Sequence, residues 1–386
     1  MKKIFCIAAV LFFLFLFAVP TSAESKTSSE SNTYSDYYKE QIKESGADEL
    51  KEKLPNDTQN SLDDLGVSGT DINEITSISP QSYFQKAVNI FTDKFKSPFL
   101  IFCKVVTVIL LCALLNGMKL SFGEKPLGGI IGMVGTLCIC TVVVTPLIAC
   151  IQDAANVLKG ASEFMLACIP VITGIMIAAG QPAEASSYNI LMLTAGNAVS
   201  VLAADFLMPM LNILLALSIV SSVSPGIKLS GLCSALNKAV KWIIGFCMTL
   251  FTSLVTMHSI VASSIDRTGS KAVKFVVSSF VPVVGNALGE AMNTVNGCVK
   301  MLKSGVCAFG LLAGIFIFLP VVIECILWII TLNVCSGIGQ MFELDEVTSL
   351  LKSSADVTST ILAVLLCSIT VLIISTAIML IIGGAS

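Results

Sequence analysis

Charged side chains are scarce in this chain. They make up 13% of its 386 residues, while 55% are hydrophobic; soluble globular proteins are about 25% charged. Aromatic residues contribute only 7%, so the apolar excess comes from aliphatic side chains and cysteine. This composition argues against a soluble enzyme and is typical of a chain surrounded mostly by lipid. No segment is basic enough to indicate nucleic-acid binding.

Sequence motifs for catalysis and metal binding are also lacking. The chain has no Walker lysine loop, no G-x-S-x-G elbow and no H-E-x-x-H motif, and its only histidine is His258. None of the 14 cysteines forms a C-x-x-C motif, and most lie in apolar runs, where cysteine acts as a small buried apolar residue. We therefore expect a protein that is not an enzyme and needs no cofactor or metal.

The first 23 residues have the pattern of a signal peptide. Lys2 and Lys3 precede an unbroken apolar stretch, 4–19, and small residues lead to a cleavage site between Ala23 and Glu24. An uncleaved anchor is the alternative. In both cases the chain that follows begins outside the membrane.

The exported segment, 24–79, is polar, acidic and free of cysteine. Residues 24–97 contain 14 acidic and 8 basic side chains. We expect the segment to be partly disordered, with one or two short helices, and too small to be stable without a partner.

An amphipathic helix is predicted over 80–97. Ser79 is a good N-cap and Pro80 suits a first helical position. Four apolar residues then recur at spacings of four, three and four: Phe84, Val88, Phe91 and Phe95. This phenylalanine stripe predicts a helix at the membrane surface that leads into the first span. A helix packed on its own domain is the alternative.

The remaining chain, 98–386, is predicted to be a multi-span membrane domain, so the fold class is all-α and polytopic. Length and lack of charge predict about seven spans: 99–118, 127–151, 164–180, 188–222, 240–263, 305–335 and 357–382. Starting outside, this count puts loops 119–125 and 264–304 and the C-terminus in the cytoplasm. It puts loop 336–356 outside.

Two carboxylates fall inside overlong predicted spans. Asp205 lies near Pro209, and Glu324 lies one helical turn after Pro320. Because a charge in hydrocarbon costs about 2.5–3.5 kcal/mol on insertion scales, each should face protein, water or a partner. Both are candidate intramembrane polar sites. A side chain that is merely protonated within the bundle, or a misplaced span boundary, would also account for them.

Two further features concern contacts. Gly128-x-x-x-Gly132 and Gly310-x-x-x-Gly314 allow close helix packing, within the chain rather than between subunits.

The loop 264–304 is predicted to form an amphipathic or re-entrant hairpin. Its basic residues are candidates for docking a partner or an anionic membrane surface: Arg267, Lys271 and Lys274.

Several stretches together resemble the stage III sporulation protein AE family. They are Phe164-Met165-Leu166-Ala167-Cys168-Ile169-Pro170, Arg267-Thr268 with Lys271-Ala272-Val273-Lys274-Phe275, and Phe280-Val281-Pro282-Val283-Val284-Gly285. The resemblance covers roughly residues 80–382, and this chain has a short insertion before Lys271.

The resemblance implies a multipass protein of the mother-cell membrane around the forespore. The implied partners are products of the same sporulation operon, namely a motor ATPase and ring-forming proteins, together with a forespore membrane protein. Their assembly is thought to form a channel that links the two cells and supports late forespore gene expression. An independent transporter that uses Asp205 and Glu324, and a non-conducting scaffold, are the alternatives. Homo-oligomerisation stays open.

Overall fold

The structure, a computed structural model, describes most of the chain from residue 42 onward. The described residues are 42–43, 45–122, 127–178, 182–201, 206–223, 229, 231–247, 249–251, 253–254, 257 and 285–382. Within these ranges every regular element is a helix and no strand is present, as the composition predicts. The predicted signal peptide lies outside the described residues.

Short helices come first and long helices follow. A 3-10 helix, Asp48–Lys53, precedes α1 (Asn56–Asp63) and α2 (Ile72–Ser77). The long helices are α3 (Pro80–Phe122), α4 (Leu127–Ala178), α5 (Pro182–Val201), α6 (Met208–Val223), α7 (231–247), α8 (Gly285–Met341) and α9 (Asp345–Ile382).

Local sequence signals explain where α3 and α9 begin. The N–H of Ser82 donates to Ser79 Oγ at 3.2 Å, which is the predicted N-cap contact. Between α8 and α9 the chain turns within three residues, with Glu343 at φ 54° and the N–H of Leu344 donating to Gly339 O at 3.1 Å. Acidic residues in the first turn of α9 suit the positive end of the helix dipole.

In the part of the chain that the structure describes, four helices are long and apolar enough to cross a membrane, and the seven predicted spans are not confirmed. The four candidates are Pro80–Asn116, Gly132–Ala178, Met301–Met341 and Asp345–Thr376, with a shorter apolar helix at Pro209–Ser221. The spans predicted at 127–151 and 164–180 belong to one helix, α4, which runs for 52 residues through Pro146 and Pro170. At 1.5 Å per residue α4 is about 78 Å long, far more than a hydrocarbon core of about 30 Å.

Two other predicted breaks in the helices are the one within the overlong span 188–222 and the hairpin at 264–304. The overlong span 188–222 consists of α5 and α6, which flank residues outside the described ranges, Asp205 among them. Of the predicted hairpin, 264–284 lies outside the described residues. Residues 285–304 form the first part of α8 and continue without a break into the span that follows.

Helix α8 lies at the centre of the packing and fixes the directions of its neighbours. Tyr83 stacks on Phe316 with ring centroids 5.8 Å apart, and Lys94 binds Glu324, so α3 runs parallel to α8. Helix α4 runs antiparallel to α8, because Cys150 Sγ lies 3.6 Å from Cys325 Sγ, whereas Phe164, farther along α4, packs edge-on against the earlier Phe309 at 6.4 Å. The first half of α8 therefore lies at the same end as the start of α3.

Glycines let α9 approach α8 closely. A Cβ at Gly314 would stand 2.6 Å from Leu372 Cδ2, and one at Gly310 would stand 3.7 Å from Thr376 Cγ2. Both neighbours are on α9, so the Gly310-x-x-x-Gly314 motif serves internal packing, as predicted.

The prediction that two loops lie on opposite sides of the membrane is wrong. A Cβ at Gly132, near the start of α4, would stand 2.6 Å from Glu346 Oε2, near the start of α9. The start of α4 and the turn between α8 and α9 therefore lie at one end of the bundle. Loops 119–125 and 336–356 are predicted on opposite sides of the membrane because the two spans predicted within α4 count as two crossings.

Residues 45–77, here called the cap, pack against the protein itself. Their apolar side chains Leu50, Leu54, Leu62 and Val67 are buried. Pro55 lies against Gly160 of α4, where a Cβ would stand 3.2 Å from Pro55 Cγ. Ion pairs join Lys51 to Asp63 within the cap and Lys86 of α3 to Asp64. This part of the exported segment thus has its packing partner on the same chain.

Replacing Gly314 by alanine should destabilise the protein, because the new methyl group displaces Leu372. Overpacking of this kind costs about 1–3 kcal/mol. Gly337→Ala, also in α8 and with open space at its Cβ, is the matched control and should be neutral or slightly stabilising. Thermal unfolding of the purified protein checks both. Equal melting temperatures for the two variants would contradict the close α8–α9 contact.

Cysteines introduced at Gly132 and Glu346 should cross-link, because the starts of α4 and α9 touch. The experiment uses a variant whose native cysteines are replaced and a short thiol-reactive cross-linker. Gly132→Cys combined with Leu372→Cys is the control, since Leu372 lies beside Gly314 at the other end of the bundle. Cross-linking of the control pair alone would overturn the helix arrangement.

Candidate functional site

Three charged side chains from three long helices lie near one another, and two of them form an ion pair. Lys94 Nζ of α3 lies 2.6 Å from Glu324 Oε2 of α8. Asp153 of α4 stands close enough to act electrostatically on both. The Glu324 side chain is 15% exposed and that of Lys94 36%, so the pair is only partly buried. We call these three residues the charged cluster.

The orientation of α3 places Lys94 in the cluster. The phenylalanine stripe faces away from the bundle, with Phe84 66%, Phe91 45% and Phe95 41% exposed. On the opposite face, Ala87 and Ile90 pack against the core, and Lys94 continues that face toward α8. The same helix thus packs on its own domain through the face opposite to the stripe, and the position of the stripe at a membrane surface stays a prediction. An apolar outer face and an inward lysine are the arrangement expected of a helix against lipid.

Helix α8 carries Glu324 past a proline. Pro320 lacks an N–H, which leaves the carbonyl of Phe316 without its usual helical donor. The helix nevertheless continues to Met341, and Glu324 follows one turn later. The sequence analysis expects this carboxylate to face protein, water or a partner, and its ion pair with Lys94 meets that expectation.

Two thiols lie beside the charged cluster. Cys150 Sγ of α4 and Cys325 Sγ of α8 are 3.6 Å apart, and both residues are fully buried. Both are free thiols, as are all twelve described cysteines, six of which are buried. This agrees with cysteine acting as a small apolar residue. Within the described ranges, no group of three or more His, Cys, Asp or Glu could hold a metal ion.

The predicted site residues have different outcomes. Glu324 is the one that the structure describes. The others lie outside the described residues: Ala23, Glu24, Asp205, Arg267, Lys271 and Lys274. Nothing in the described part of the chain tests their roles.

Lys94 and Asp153 are not among the site residues predicted from the sequence. Lys94 lies five residues before the predicted span 99–118, and Asp153 lies two residues after the predicted span 127–151. Counting spans by length and lack of charge assigns such residues to the loops that flank the spans. The available signal is the position of Lys94 off the phenylalanine stripe, which indicates a lysine on the face opposite to lipid.

Comparisons with known proteins point to one family. The family model described as stage III sporulation protein AE matches residues 68–383. Stage III sporulation protein AE of Bacillus subtilis (strain 168) is 20% identical over 239 residues, which are 62% of this chain and 60% of that relative. The alignment thus spans less than two thirds of the relative's length. No solved structure matches the chain.

Removing only Lys94 should destabilise the protein, whereas removing both partners of the ion pair should be tolerated better. Breaking a buried pair leaves a charge without its partner, at a cost of about 3–5 kcal/mol; partial exposure lowers our expectation for Lys94→Gln to about 1–3 kcal/mol. The double variant Lys94→Gln/Glu324→Gln should recover most of this loss. Thermal unfolding in lipid nanodiscs is the measurement.

Lys96→Gln is the control for this prediction. Lys96 is 75% exposed and pairs with Asp93 on the surface, so its loss should change stability by less than about 0.5 kcal/mol. The interpretation of a structural ion pair fails if the double variant is as unstable as the sum of the two single variants.

Proposed function

The chain belongs to the stage III sporulation protein AE family, and on that premise we propose that it is the multipass membrane component of a channel complex between mother cell and forespore. In this role it supports late forespore development and gene expression. The observation that carries the proposal is the extent of the family match, which includes nearly all of the four helices long enough to cross a membrane.

We propose that the protein lies in the mother-cell membrane around the forespore. Residues 1–23 act as a signal peptide that is removed, and the cap then lies outside the mother-cell cytoplasm. With the cap outside, α3 runs inward, and the end that carries the α3–α4 and α8–α9 connections faces the mother-cell cytoplasm. Lys119 and Lys125 in the first connection fit this orientation by the positive-inside rule.

Further crossings by α5, α6 and the chain around α7 would be needed for the predicted count of seven. Exposed apolar side chains on these helices support contact with lipid: Ile190, Leu193, Ile213, Val220, Trp242 and Phe246.

The proposed partners are a motor ATPase and ring-forming proteins from the same operon, and a forespore membrane protein. A non-enzymatic role for this chain is part of the proposal, because its sequence has no nucleotide-binding or catalytic motif. The acidic cap, on the outer side, is available to the ring-forming partners. Arg267, Lys271 and Lys274 are proposed to dock a partner or an anionic membrane surface.

A second candidate function is an independent ion-coupled transporter. The charged cluster favours it, because ionisable groups inside membrane bundles mark proton and substrate pathways. A non-conducting scaffold is the third candidate. Its signature would be a protein that still supports sporulation when the charges of the Lys94–Glu324 pair are removed.

Deletion of the gene in its spore-forming host tests the proposal. The expected result is arrest after engulfment with loss of late forespore-specific transcription, restored by the wild-type chain. Normal sporulation of the deletion strain would contradict the channel role and leave the transporter. Complementation by Lys94→Gln/Glu324→Gln at normal protein levels would favour the scaffold, whereas failure of this variant but not of Lys96→Gln would favour a conducting role.

A further inference from the structure

Helices α4 and α8 bring two thiols into direct contact. Cys150 Sγ of α4 lies 3.6 Å from Cys325 Sγ of α8, which is van der Waals contact for two sulfur atoms. Both residues are 0% exposed, and they are 175 positions apart in the sequence. Two thiols that touch across a helix–helix contact have the starting geometry for a disulfide bond between the helices.

Contacts on either side of the two thiols hold them together. Farther along α4, Phe164 packs edge-on against Phe309 of α8 with ring centroids 6.4 Å apart. Next to Cys325 in the sequence, Glu324 binds Lys94 of α3 at 2.6 Å. Because the packed bundle keeps the sulfur atoms in contact, each thiol meets the other at a high effective concentration.

The bond itself is compatible with this packing. A disulfide has an S–S distance of about 2.05 Å, so the two sulfur atoms must approach each other by about 1.5 Å. Each cysteine side chain has a single torsion that moves its sulfur, the rotation about the Cα–Cβ bond. Rotation of the two side chains toward each other can supply the approach.

Water reaches the residues beside the thiols but not the thiols themselves. The Glu324 side chain is 15% exposed and that of Lys94 is 36% exposed. A small, uncharged oxidant such as hydrogen peroxide can follow the same route. Burial slows the reaction, because the thiolate is the reactive form and apolar surroundings disfavour it. The same burial shields a disulfide from reducing thiols, so we expect slow oxidation and a lasting product.

We propose that Cys150 and Cys325 are an oxidation site at which peroxide forms a disulfide bond between α4 and α8. One thiolate attacks the peroxide, becomes a sulfenic acid and releases hydroxide, which takes up the proton of that thiol to give water. The second thiol then attacks the sulfenic sulfur, and the S–S bond forms as a second water leaves. In total, two thiols lose two electrons and two protons, and one peroxide becomes two waters.

The disulfide joins the two longest helices that the structure describes, α4 with 52 residues and α8 with 57. In the reduced protein these helices are held by side-chain packing alone at this point. In the oxidised protein a covalent bond prevents them from sliding or separating next to the Lys94–Glu324 ion pair. A conformational change that moves α4 along α8 therefore depends on the oxidation state. This inference goes beyond the proposed function and does not rest on it.

Peroxide oxidation of the purified full-length protein in lipid nanodiscs tests the inference. Remaining thiols are alkylated, the protein is digested without reductant, and the peptides are identified by mass spectrometry. We expect a peptide pair joined through Cys150 and Cys325 after oxidation, separated again by a reductant once the protein is unfolded. Because the bond constrains the unfolded chain, the oxidised protein should melt about 5 °C above the reduced protein.

Three variants and one internal control accompany the wild-type measurement. Cys150→Ala and Cys325→Ala should each abolish the joined peptides and the shift in melting temperature. Cys168→Ala, at a buried cysteine on the same helix as Cys150, should keep both. Oxidation of Cys103, whose side chain is exposed, shows in each sample that the peroxide has acted.

Two outcomes would overturn the proposal. In the first, Cys103 is oxidised while Cys150 and Cys325 are both recovered as thiols after prolonged exposure. In the second, either of the two is recovered as a higher oxide or joined to another cysteine, without a bond between them. The wild-type protein decides between these outcomes by itself, whether or not the alanine variants fold. The readout is chemical and needs no sporulation, so its failure is distinguishable from a failure of the proposed channel role.

Discussion

The ion pair between Lys94 and Glu324 determines how the membrane helices fit together. It joins α3 to α8, and together with the stack of Tyr83 on Phe316 it fixes the rotation of α3 and its parallel direction. Turning α3 so that its lysine reaches Glu324 turns its phenylalanines outward. The outward phenylalanine stripe and the inward lysine are thus two consequences of one contact. Other rotations of α3 are disfavoured, because an unpaired lysine inside the bundle would be costly.

Helix length sets a second constraint. Helices α4 and α8 have 52 and 57 residues, more than twice the number that crosses a bilayer once. The excess is accommodated by packing: the cap covers α4 and α8 at one end, with its leucines buried against the bundle. A polar segment can cover apolar helices only where it can also reach water. The charged cluster lies between this covered end and the end that carries the connections.

The sequence predicts the fold class, the start of α3 and the internal role of the glycine motif, because each depends on local chemistry: composition, an N-cap and close helix approach. It does not predict that 152–163 is helical, since the polar residues there resemble a connection. That one error puts the two loops on opposite sides. Glu324 could be found as an isolated charge in an apolar run. For Lys94 the sequence offers its position off the phenylalanine stripe, which indicates an inward lysine but not its partner. For Asp153 it offers no signal, because only the packing of α3 and α4 against α8 brings these span-boundary charges near Glu324.

Accessibility of α3 to oxygen and to a water-soluble nickel chelate tests the central claim most directly. Spin labels placed one at a time along 80–100 in a cysteine-free variant, reconstituted in lipid, report which face of the helix meets lipid. The account predicts a helical period, with oxygen accessibility highest at Phe84, Phe91 and Phe95 and lowest at Ala87, Ile90 and Lys94. A maximum at Lys94, or no periodicity, would contradict an inward lysine and an outward phenylalanine stripe.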